Sequence, residues 1–538
     1  MPTPTSYPRP GAYINEQLLP LITGAANIPG EAVAAFANAF NIGPVIPTFC
    51  TSWQQFTSLY GNFSQSNGNT LHFAVYSYFV NGGTGCYVLR VPNTDAVAAH
   101  LAIPDLGSAT VFTATAAQQQ VQSPGAWGNQ IYVEVQALNA ITKYVNINVY
   151  NVPVGASVGP GYLVESFLNI STNPADPRYA LTIVNSPVSG SNFIQLTGGL
   201  AYVAGTTDFA TMVPTPLASG ADGSLSPAST FAATLTTAFD NYATNQVLNL
   251  NITGGFNASG SMNSNTIVNT VVSWAAARED VFVLVDGPIP SFPESSATVT
   301  SNYTGMVTGG SSIASSSFVA VHGPYLLVQD PSSAIGGATR YIGPSGSILG
   351  LWSFTDNLIG VQQVAAGVSF GQLSCLGLET YFTPTDLNTL FPYNINAIKK
   401  VPGYGFCVFG ARTLLQGFPD MYIPVRRVLM KIEHDSINLT QFAMFEPNTP
   451  TLWGEVKTVL QNYLTTQTLA GLLGSTNPAQ AFSITCDSTN NSQQTAQAGM
   501  LNISIAVALG SPVEIIVINI SQLVQGAITS STPTGSST

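Results

Sequence analysis

Residues Phe445-Glu-Pro-Asn-Thr-Pro-Thr-Leu-Trp453 separate two helical segments near the C-terminal end of this 538-residue sequence. The segment before them, residues 422–433, reads YIPVRRVLMKIE and repeats apolar residues at intervals of three and four, as a helix with one buried face does. After them, Thr449 and Pro450 suit the N-cap and first turn of a second helix. Two strands are predicted next, at residues 482–486 and 501–509. This order predicts a C-terminal domain of two helices and two strands.

The composition is unusual because charged residues make up only 7% of the chain, against about 25% in an average globular protein. The mean hydropathy is +0.26, yet no run approaches the roughly 20 apolar residues that span a bilayer. So few charges protect a monomer poorly against self-association. We therefore predict that much of the surface is buried against other subunits, with an uncharged surface that faces glycans as the alternative. The first residues, Met1-Pro-Thr-Pro-Thr, are neither basic nor apolar, so no signal peptide is expected.

We predict an α+β multidomain fold in five parts. Residues 1–30 carry six prolines and form an extended N-terminal arm. Helix and strand patterns alternate in residues 31–95 and again in residues 225–400, so these segments are predicted to form one α/β domain. Within them, Ser52 is predicted to cap a helix that runs to residue 60. Strands are predicted at residues 86–91, 280–286 and 318–328, the first two of them buried. A β-rich domain at residues 96–224 interrupts it. Residues 401–511 form a C-terminal α/β domain, and residues 512–538 form a C-terminal strand arm and tail.

The C-terminal arm contains a stretch that is apolar on both faces, Val513-Glu-Ile-Ile-Val-Ile-Asn-Ile520. An exposed strand of this kind promotes aggregation unless it is paired or covered. At about 3.3 Å per residue the stretch spans roughly 26 Å, enough to reach a neighbouring subunit and add a strand to its sheet. The residues predicted to make this exchange are Val513, Ile515, Ile516, Val517 and Ile518.

Candidate residues for metal binding or nucleophilic catalysis do not form a recognisable group. The four histidines are far apart, and the five cysteines are scattered without a C-x-x-C pair. This spacing argues against a zinc site and against a disulfide framework. The cysteines are instead expected to be small buried apolar residues in a reducing cytoplasm.

Three further patterns resemble catalytic or ligand-binding motifs but are incomplete. Gly343-Pro-Ser-Gly-Ser347 lacks the second glycine of a nucleophile loop, and residues 403–410 lack the lysine of a phosphate-binding loop. His434 beside Asp435 suggests a base and its orienting acid, but neighbouring side chains point to different sides of a helix, which favours a salt-linked surface pair. No basic patch suits a nucleic acid. We therefore predict no enzymatic activity and no catalytic, cofactor-binding or metal-binding residues.

Several motifs follow one another in the order in which one protein family carries them. In this sequence they read Arg9-Pro-Gly-Ala-Tyr-Ile-Asn-Glu16, Ser52-Trp-Gln-Gln-Phe-Thr-Ser-Leu-Tyr60, Tyr78-Phe-Val-Asn-Gly-Gly-Thr-Gly-Cys-Tyr-Val-Leu-Arg-Val91, Gly125-Ala-Trp-Gly-Asn129, Pro344-Ser-Gly346, Thr355-Asp356 and Phe445-Glu-Pro-Asn448. With them the chain resembles the contractile tail sheath proteins of tailed bacteriophages and related injection particles. Ile359 departs from the family pattern, which has arginine there, and this weakens any charge contact made at that position.

The resemblance implies a structural subunit that polymerises as stacked hexameric rings around a tail tube and contracts to drive the tube through the target cell envelope. Its implied partners are further copies of itself, the tail tube protein, and the baseplate and tail terminator proteins, with no nucleic acid, no cofactor and no direct membrane insertion. Its implied location is the virion tail, with assembly in the host cytoplasm. The family exchanges both terminal arms, which adds Tyr13, Ile14, Asn15 and Glu16 to the predicted exchange strands.

A cluster of charges in residues 420–435 is the main electrostatic feature of the sequence. Its members Arg426, Arg427, Lys431, Glu433 and Asp435 fall mostly outside the apolar stripe of the predicted helix. One interpretation is a solvated helix face on which Lys431 and Asp435 pair at i, i+4. The other is a contact that sets register against the tube or the next ring, because electrostatic complementarity fixes register more than it adds affinity.

Two other functions are alternatives to the sheath interpretation. An extracellular surface-layer lattice protein would share the low charge and the acidic pI of about 4.6, but it would need an export signal. A virion-associated glycan-degrading enzyme would need a cluster of carboxylates in a β-helical repeat, and the sequence has neither pattern. The sequence does not distinguish a phage tail from a phage-derived injection particle.

Overall fold

The computed structural model describes residues 33–515, apart from residues 39, 64–70, 120, 138–142, 224–227, 244–249, 254–264, 290–293, 309–311, 332, 334–336 and 418–420. The predicted N-terminal arm, with Tyr13, Ile14, Asn15 and Glu16, lies outside the described residues. Residues 516–538 also lie outside them, and these include Ile516, Val517 and Ile518.

The first part of the chain alternates strands and helices as the sequence predicts. Its elements are β1 (Val33–Asn38), β2 (Thr48–Cys50), α1 (Trp53–Tyr60), α2 (Leu71–Val80) and β3 (Cys86–Arg90). Helix α1 begins at the predicted N-cap, where the Ser52 hydroxyl accepts a hydrogen bond from the Gln55 N–H at 3.2 Å. Every residue of β3 is buried, in agreement with the buried strand predicted there.

The segment after β3 is β-rich, as predicted. Its elements are β4 (His100–Pro104), β5 (Thr110–Gln118), β6 (Val121–Gln122), β7 (Ile131–Ala137), β8 (Val145–Asn151), β9 (Leu163–Ile170), α3 (Ala180–Val184), β10 (Ile194–Gly198) and β11 (Met212–Pro216). Two antiparallel sheets, ordered β10-β5-β4 and β11-β7-β8-β9, share one apolar core. The chain enters and leaves this inserted domain through neighbouring segments, because Asn93 Nδ2 donates to the Asp222 carbonyl at 2.8 Å and Val97 bridges Ala221.

After the inserted domain the chain returns to alternating helices and strands. The elements are α4 (Ala228–Ala243), β12 (Leu250–Thr253), α5 (Asn265–Arg278), β13 (Val281–Asp286), α6 (Ser296–Thr308), β14 (Val319–Gly323), β15 (Leu326–Gln329), β16 (Thr339–Ile342), α7 (Ser345–Leu358), α8 (Gly367–Phe370), β17 (Gln372–Leu373), β18 (Gly377–Leu378), α9 (Pro384–Leu390), β19 (Asn396–Val401) and β20 (Gly405–Phe409). The single strand predicted over residues 318–328 is wrong. It is two strands in different sheets, separated by Pro324, which has no N–H to give to a ladder.

A nine-stranded central sheet has the order β17-β20-β19-β14-β13-β12-β1-β3-β2. Its middle strands are parallel, and the pairs at both ends are antiparallel. Strands β13 and β14 are buried on both faces, as in a parallel sheet covered by helices, and α5 and α7 both pack against β13. Burial of a valine or leucine such as Val283, Leu284 or Val321 contributes about 1.5–3 kcal/mol each. Strand β1, from before the inserted domain, lies between β12 and β3, which are separated from each other by that domain in sequence.

The last part of the described chain is a helical hairpin followed by a two-stranded ribbon. Its elements are α10 (Ile423–Thr440), α11 (Pro450–Leu469), α12 (Pro478–Ala481), β21 (Phe482–Thr485), α13 (Gln493–Gln497) and β22 (Ser504–Val507). Thr449 caps α11 and Pro450 occupies its first turn, as predicted. Asn448 joins the hairpin to the ribbon segment, since it accepts from Trp453 Nε1 at 2.6 Å and donates to the Met500 carbonyl at 2.8 Å.

One predicted boundary differs from the structure. The C-terminal domain is predicted to begin at residue 401, but β19 and β20 form a hairpin of the central sheet across that position. The helical part of the C-terminal domain therefore begins only with α10. None of the helices in the described part of the chain is long and apolar enough to cross a membrane.

Candidate functional site

The first half of α10 is enclosed by other parts of the subunit. All but one of its residues between Ile423 and Ile432 are buried, including residues outside the predicted apolar stripe. Arg426 is 0% exposed, Arg427 is 4% exposed and Lys431 is 7% exposed. The helix is therefore covered on more than one face, which the sequence pattern did not indicate.

Arg427 ties α10 to the central domain. Its guanidinium donates to both carboxylate oxygens of Asp356, with Nη1 3.1 Å from Oδ1, and it lies 4.4 Å from the centre of the Trp352 ring. Asp356 and Trp352 both belong to α7, and Trp352 packs edge-on against Phe282 of the central sheet. Burial raises the pKa of Asp356, and the charge of Arg427 acts against that rise. A buried, bidentate ion pair of this kind fixes the angle between α10 and α7 as well as the distance between them.

The other charges of the cluster are paired within α10. Arg426 Nη2 lies 2.7 Å from Glu433 Oε2, and its guanidinium lies 4.5 Å from the centre of the Phe318 ring in the central domain. Lys431 Nζ lies 3.1 Å from Asp435 Oδ2, which confirms the pair predicted at i, i+4. Burial alone would raise the pKa of Asp435, but hydrogen bonds from His434 and Tyr463 and the charge of Lys431 hold it below its usual value.

This placement corrects the expectation that the cluster lies on an open helix face. Arg426, Arg427 and Lys431 are buried in the subunit and are paired with Glu433, Asp356 and Asp435. The physical reason is that a buried cation must be paired with an anion, and Glu433, Asp356 and Asp435 supply these anions within the subunit. A register contact of these five α10 residues with the tube or the next ring stays a prediction, and it would have to use side chains whose charges are already neutralised.

A second buried carboxylate lies at the other end of α7. Asp286 ends β13 and accepts hydrogen bonds from both the backbone N–H and the hydroxyl of Ser345, each at 2.7 Å. Burial raises its pKa from 3.8 to about 6. Gly343 is required beside it, since a Cβ there would lie 2.2 Å from Asp286 Oδ2. The glycine and serine of Gly343-Pro-Ser-Gly-Ser347 thus hold a helix N-terminus on the sheet, where a negative charge is favourable.

The raised pKa of Asp286 predicts a specific pH dependence. Because the folded state holds the proton more tightly than the unfolded chain, the contribution of this group to stability is greatest below about pH 4 and is lost as the pH rises towards 6. The difference corresponds to about 3 kcal/mol. We expect Asp286→Asn to remove this component, measured as the free energy of urea unfolding at several pH values. An unchanged slope between pH 4 and 6 would contradict the assignment, and Glu455→Gln at an exposed position is the control.

The start of the C-terminal arm is held to the central domain by one ion pair. Arg412 Nε lies 2.9 Å and 3.1 Å from the two carboxylate oxygens of Glu514, and its guanidinium lies 3.8 Å from the centre of the Phe391 ring. The predicted exchange residues on either side of Glu514 point away from the subunit: Val513 is 81% exposed and Ile515 is 70% exposed. This alternation is what an extended strand shows when one side is attached and the other is open.

The ribbon of β21 and β22 is the other feature suited to strand addition. The two strands pair with each other in antiparallel register from Phe482↔Val507 to Thr485↔Ser504. Ile484 and Ile505 lie against the core of the helical hairpin. Within the described residues each strand has one partner in this sheet, which leaves one edge of each strand unpaired. Two-stranded sheets of this size are marginally stable in water.

The residues considered for catalysis make structural contacts. His434 Nδ1 lies 3.4 Å from Asp435 Oδ1, so the side chains do meet, but Asp435 also binds Lys431 and Tyr463. A cavity of about 10 Å³ beside Arg427 and His322 has room for about one water molecule and not for a substrate. Among the described residues no group of three or more metal-ligating side chains could hold a metal ion.

The ion pairs formed by Asp356, Arg412 and Glu514 were not predicted from the sequence. Asp356 belonged to a family motif, but nothing in the sequence linked it to Arg427, 71 positions away. Glu514 is the charged residue at the start of an apolar stretch, and that interruption was a signal for an attachment point. Arg412 is isolated in the sequence and could be found only from the fold.

Comparison with solved structures identifies the class of this fold. Over 97% of its length the chain matches 99% of a chain in the contracted sheath complex of the PVC extracellular contractile injection system, with a TM-score of 0.52 and 20% identity. It matches 100% of a chain in the anti-feeding prophage baseplate over 97% of its own length, with a TM-score of 0.53 and 18% identity. The chain therefore has the fold found in contractile sheath assemblies, as the motifs predicted.

A third match comes from a bacterial sheath tail protein. The crystal structure of a sheath tail protein from Listeria innocua covers 86% of this chain and 90% of its own, with a TM-score of 0.57 and 10% identity. No protein-family model and no curated protein matches the chain. At these identities the likeness concerns the fold, which is mixed α/β with several sheets.

Proposed function

We propose that this chain is the structural subunit of a contractile sheath. In the proposed particle the subunits form stacked hexameric rings around a tail tube, and contraction of this sleeve drives the tube through a target cell envelope. The observation that carries the proposal is that the likeness to the contracted PVC sheath extends over nearly the whole of both chains. The likeness therefore includes the inserted and C-terminal domains as well as the central sheet. The proposed role of the chain is mechanical rather than enzymatic.

The composition supports extensive burial against other subunits. A chain with 7% charged residues presents few groups that must stay in water, so rings of identical subunits remove much of its surface from solvent at little desolvation cost. The proposed partners are further copies of this chain, the tail tube protein, and the baseplate and tail terminator proteins. The proposed location is the tail of a virion or phage-like particle, assembled in the host cytoplasm.

The proposed links between subunits are exchanged terminal strands. Arg412 and Glu514 fix the point at which the C-terminal arm leaves the subunit, while Val513 and Ile515 face outward. Ile516, Val517 and Ile518 follow directly in the sequence and continue the apolar stretch. The N-terminal residues Tyr13, Ile14, Asn15 and Glu16 are proposed to make the second exchanged strand.

The β21–β22 ribbon is the proposed acceptor of these strands. It has two unpaired edges in the described part of the chain and an apolar face already packed on α11. One strand added to each edge would satisfy backbone groups that a single subunit leaves open. Subunit bodies joined in this way can change their mutual contacts as rigid blocks while the strands keep the rings connected.

Electron microscopy of the purified full-length protein expressed alone tests the proposal. We expect hollow, striated tubules of uniform width. Flat two-dimensional lattices would contradict it and favour a surface-layer protein. If the protein stays dispersed, the experiment is repeated with purified tail tube added. A sheath subunit is expected to coat the tube, and an uncoated tube would contradict the proposal.

A further inference from the structure

Two of the five cysteines face each other across the edge of the central sheet. Strand β2 is the outermost strand on one side, and its pairing with β3 is antiparallel, with Cys50 directly opposite Cys86. Both residues are 0% exposed. Because opposite residues of an antiparallel pair point to the same face of the sheet, the two thiols lie side by side beneath the protein surface.

The spacing of such a pair suits a disulfide bond. Opposite residues in antiparallel strands have Cα atoms about 4.5 or 5.5 Å apart, within the range of about 4.4–6.8 Å found across disulfides. The Cβ atoms of opposite residues lie about 4.5–5.5 Å apart, and a disulfide needs about 3.5–4.5 Å. Closing that difference requires a small inward movement of β2, a three-residue strand at the edge of the sheet whose partner there is β3.

No other pair of cysteines in the chain has this register. At the opposite edge of the sheet, Cys407 of β20 faces Gln372 of β17, and Cys375 lies beyond the end of that strand. Cys486 follows β21, and the residues of that strand face Ser504 to Val507. Cys375 also lies near Cys407, but the two are not opposite each other in the ladder, so direct cross-strand register belongs to Cys50 and Cys86.

We propose that Cys50 and Cys86 are a redox-sensitive pair, open in a reducing compartment and closed to a disulfide under oxidising conditions. A small disulfide such as oxidised glutathione supplies the oxidant. One cysteine attacks it to form a mixed disulfide and releases one glutathione; the second cysteine then displaces the other glutathione. Two thiols become one disulfide, and the two electrons and two protons end on the two glutathione thiols.

The closed form would secure the edge of the central sheet. The bond joins the strand before α1 to the strand after α2, so it encloses both helices in one covalent loop. A loop of this length removes conformational freedom mainly from the unfolded chain. It also prevents β2 from separating and exposing an unpaired strand edge. Burial raises the pKa of Cys50 to about 12, so we expect the reaction to be slow until β2 opens locally.

The test is oxidation of the full-length protein with oxidised glutathione, followed by alkylation under denaturing conditions and intact mass measurement. We expect three alkylated cysteines instead of the five found in the reduced protein. No lysine or arginine lies between Cys50 and Cys86, so trypsin leaves both in one peptide. Digestion with chymotrypsin under non-reducing conditions is therefore needed to recover the two linked fragments.

Cysteine-to-alanine variants show which cysteines form the disulfide. Cys50→Ala and, separately, Cys86→Ala are expected to keep four alkylated cysteines after oxidation, and Cys486→Ala is expected to keep two. The thermal midpoint of the wild type should rise by on the order of 5 °C on oxidation and fall back when reductant is added. Three results would each overturn the proposal. They are five free thiols after oxidation at a temperature that opens β2, glutathione adducts without an internal disulfide, and a disulfide between other cysteines.

Discussion

A chain that ends at residue 515 is expected to fold but to form no tubules. Truncation there removes Ile516, Val517 and Ile518 and leaves Glu514, so the ion pair with Arg412 remains. The subunit core is expected to be intact because all four of its apolar clusters lie within the described residues. Each ring then lacks the strand that we propose to cross to its neighbour. Size-exclusion chromatography and electron microscopy measure the outcome, and circular dichroism reports the fold.

The matched control for this truncation ends at residue 520. It removes the Ser/Thr/Gly-rich tail but keeps the complete apolar stretch from Val513 to Ile520. This variant is expected to form tubules like the full chain, whereas removal of residues 1–17 is expected to abolish them. Normal tubules from the chain that ends at 515 would refute strand exchange through the C-terminal arm. Loss of tubules from both C-terminal truncations would show that the tail itself is required, and the result at 515 would then no longer support strand exchange.

The second large effect is expected from Asp356→Ala. This change leaves the Arg427 guanidinium buried without its carboxylate, and broken buried pairs cost about 3–5 kcal/mol. We expect a loss of that size in the free energy of urea unfolding, together with separation of α10 from α7. Arg427 would still contact Trp352, but stacking on a ring offsets only a small part of the desolvation of the charge.

A double variant distinguishes the net contribution of the Asp356–Arg427 ion pair to stability from the cost of leaving one buried charge unpaired. Asp356→Leu combined with Arg427→Met replaces the pair with apolar side chains, and such replacements are often neutral. We expect it to be clearly more stable than Asp356→Ala. Equal losses in both would mean that the pair is not the source of the effect. Lys431→Ala, at the less buried i, i+4 pair with Asp435, is expected to cost less than Asp356→Ala.

Local elements were predictable from the sequence because their signals are local. The Ser52 N-cap, the Thr449-Pro450 start of α11 and the buried strand at β13 depend on residues within one turn or one strand, and the structure has each of them. The inserted β-rich segment was likewise visible from its short alternating runs. The overall fold followed from motif order, and the structural matches agree with it at the level of the fold.

Contacts between distant segments were not predictable in the same way. The apolar pattern of α10 predicts a helix with one buried face, whereas Phe318 and Trp352 cover a second face. Charged residues of a helix can be buried when residues from distant parts of the chain pair with them. The spacing of apolar residues within the helix does not reveal those distant partners. The same limit applies to Cys50 and Cys86, whose scattered positions indicated no bond because sheet register was unknown.

The way in which the chain enters and leaves the inserted domain has a consequence for how sequences of this fold can vary. Asn93 and Asp222 are hydrogen-bonded neighbours, as are Val97 and Ala221, so the ends of a segment of more than a hundred residues meet at one place. For the central sheet this domain is equivalent to a closed loop, whose entropic cost depends only weakly on length. Shortening, enlarging or exchanging the module between these two crossing points should leave the order of the nine strands unchanged. The inserted module can then diversify in sequence and size while the central sheet stays constant.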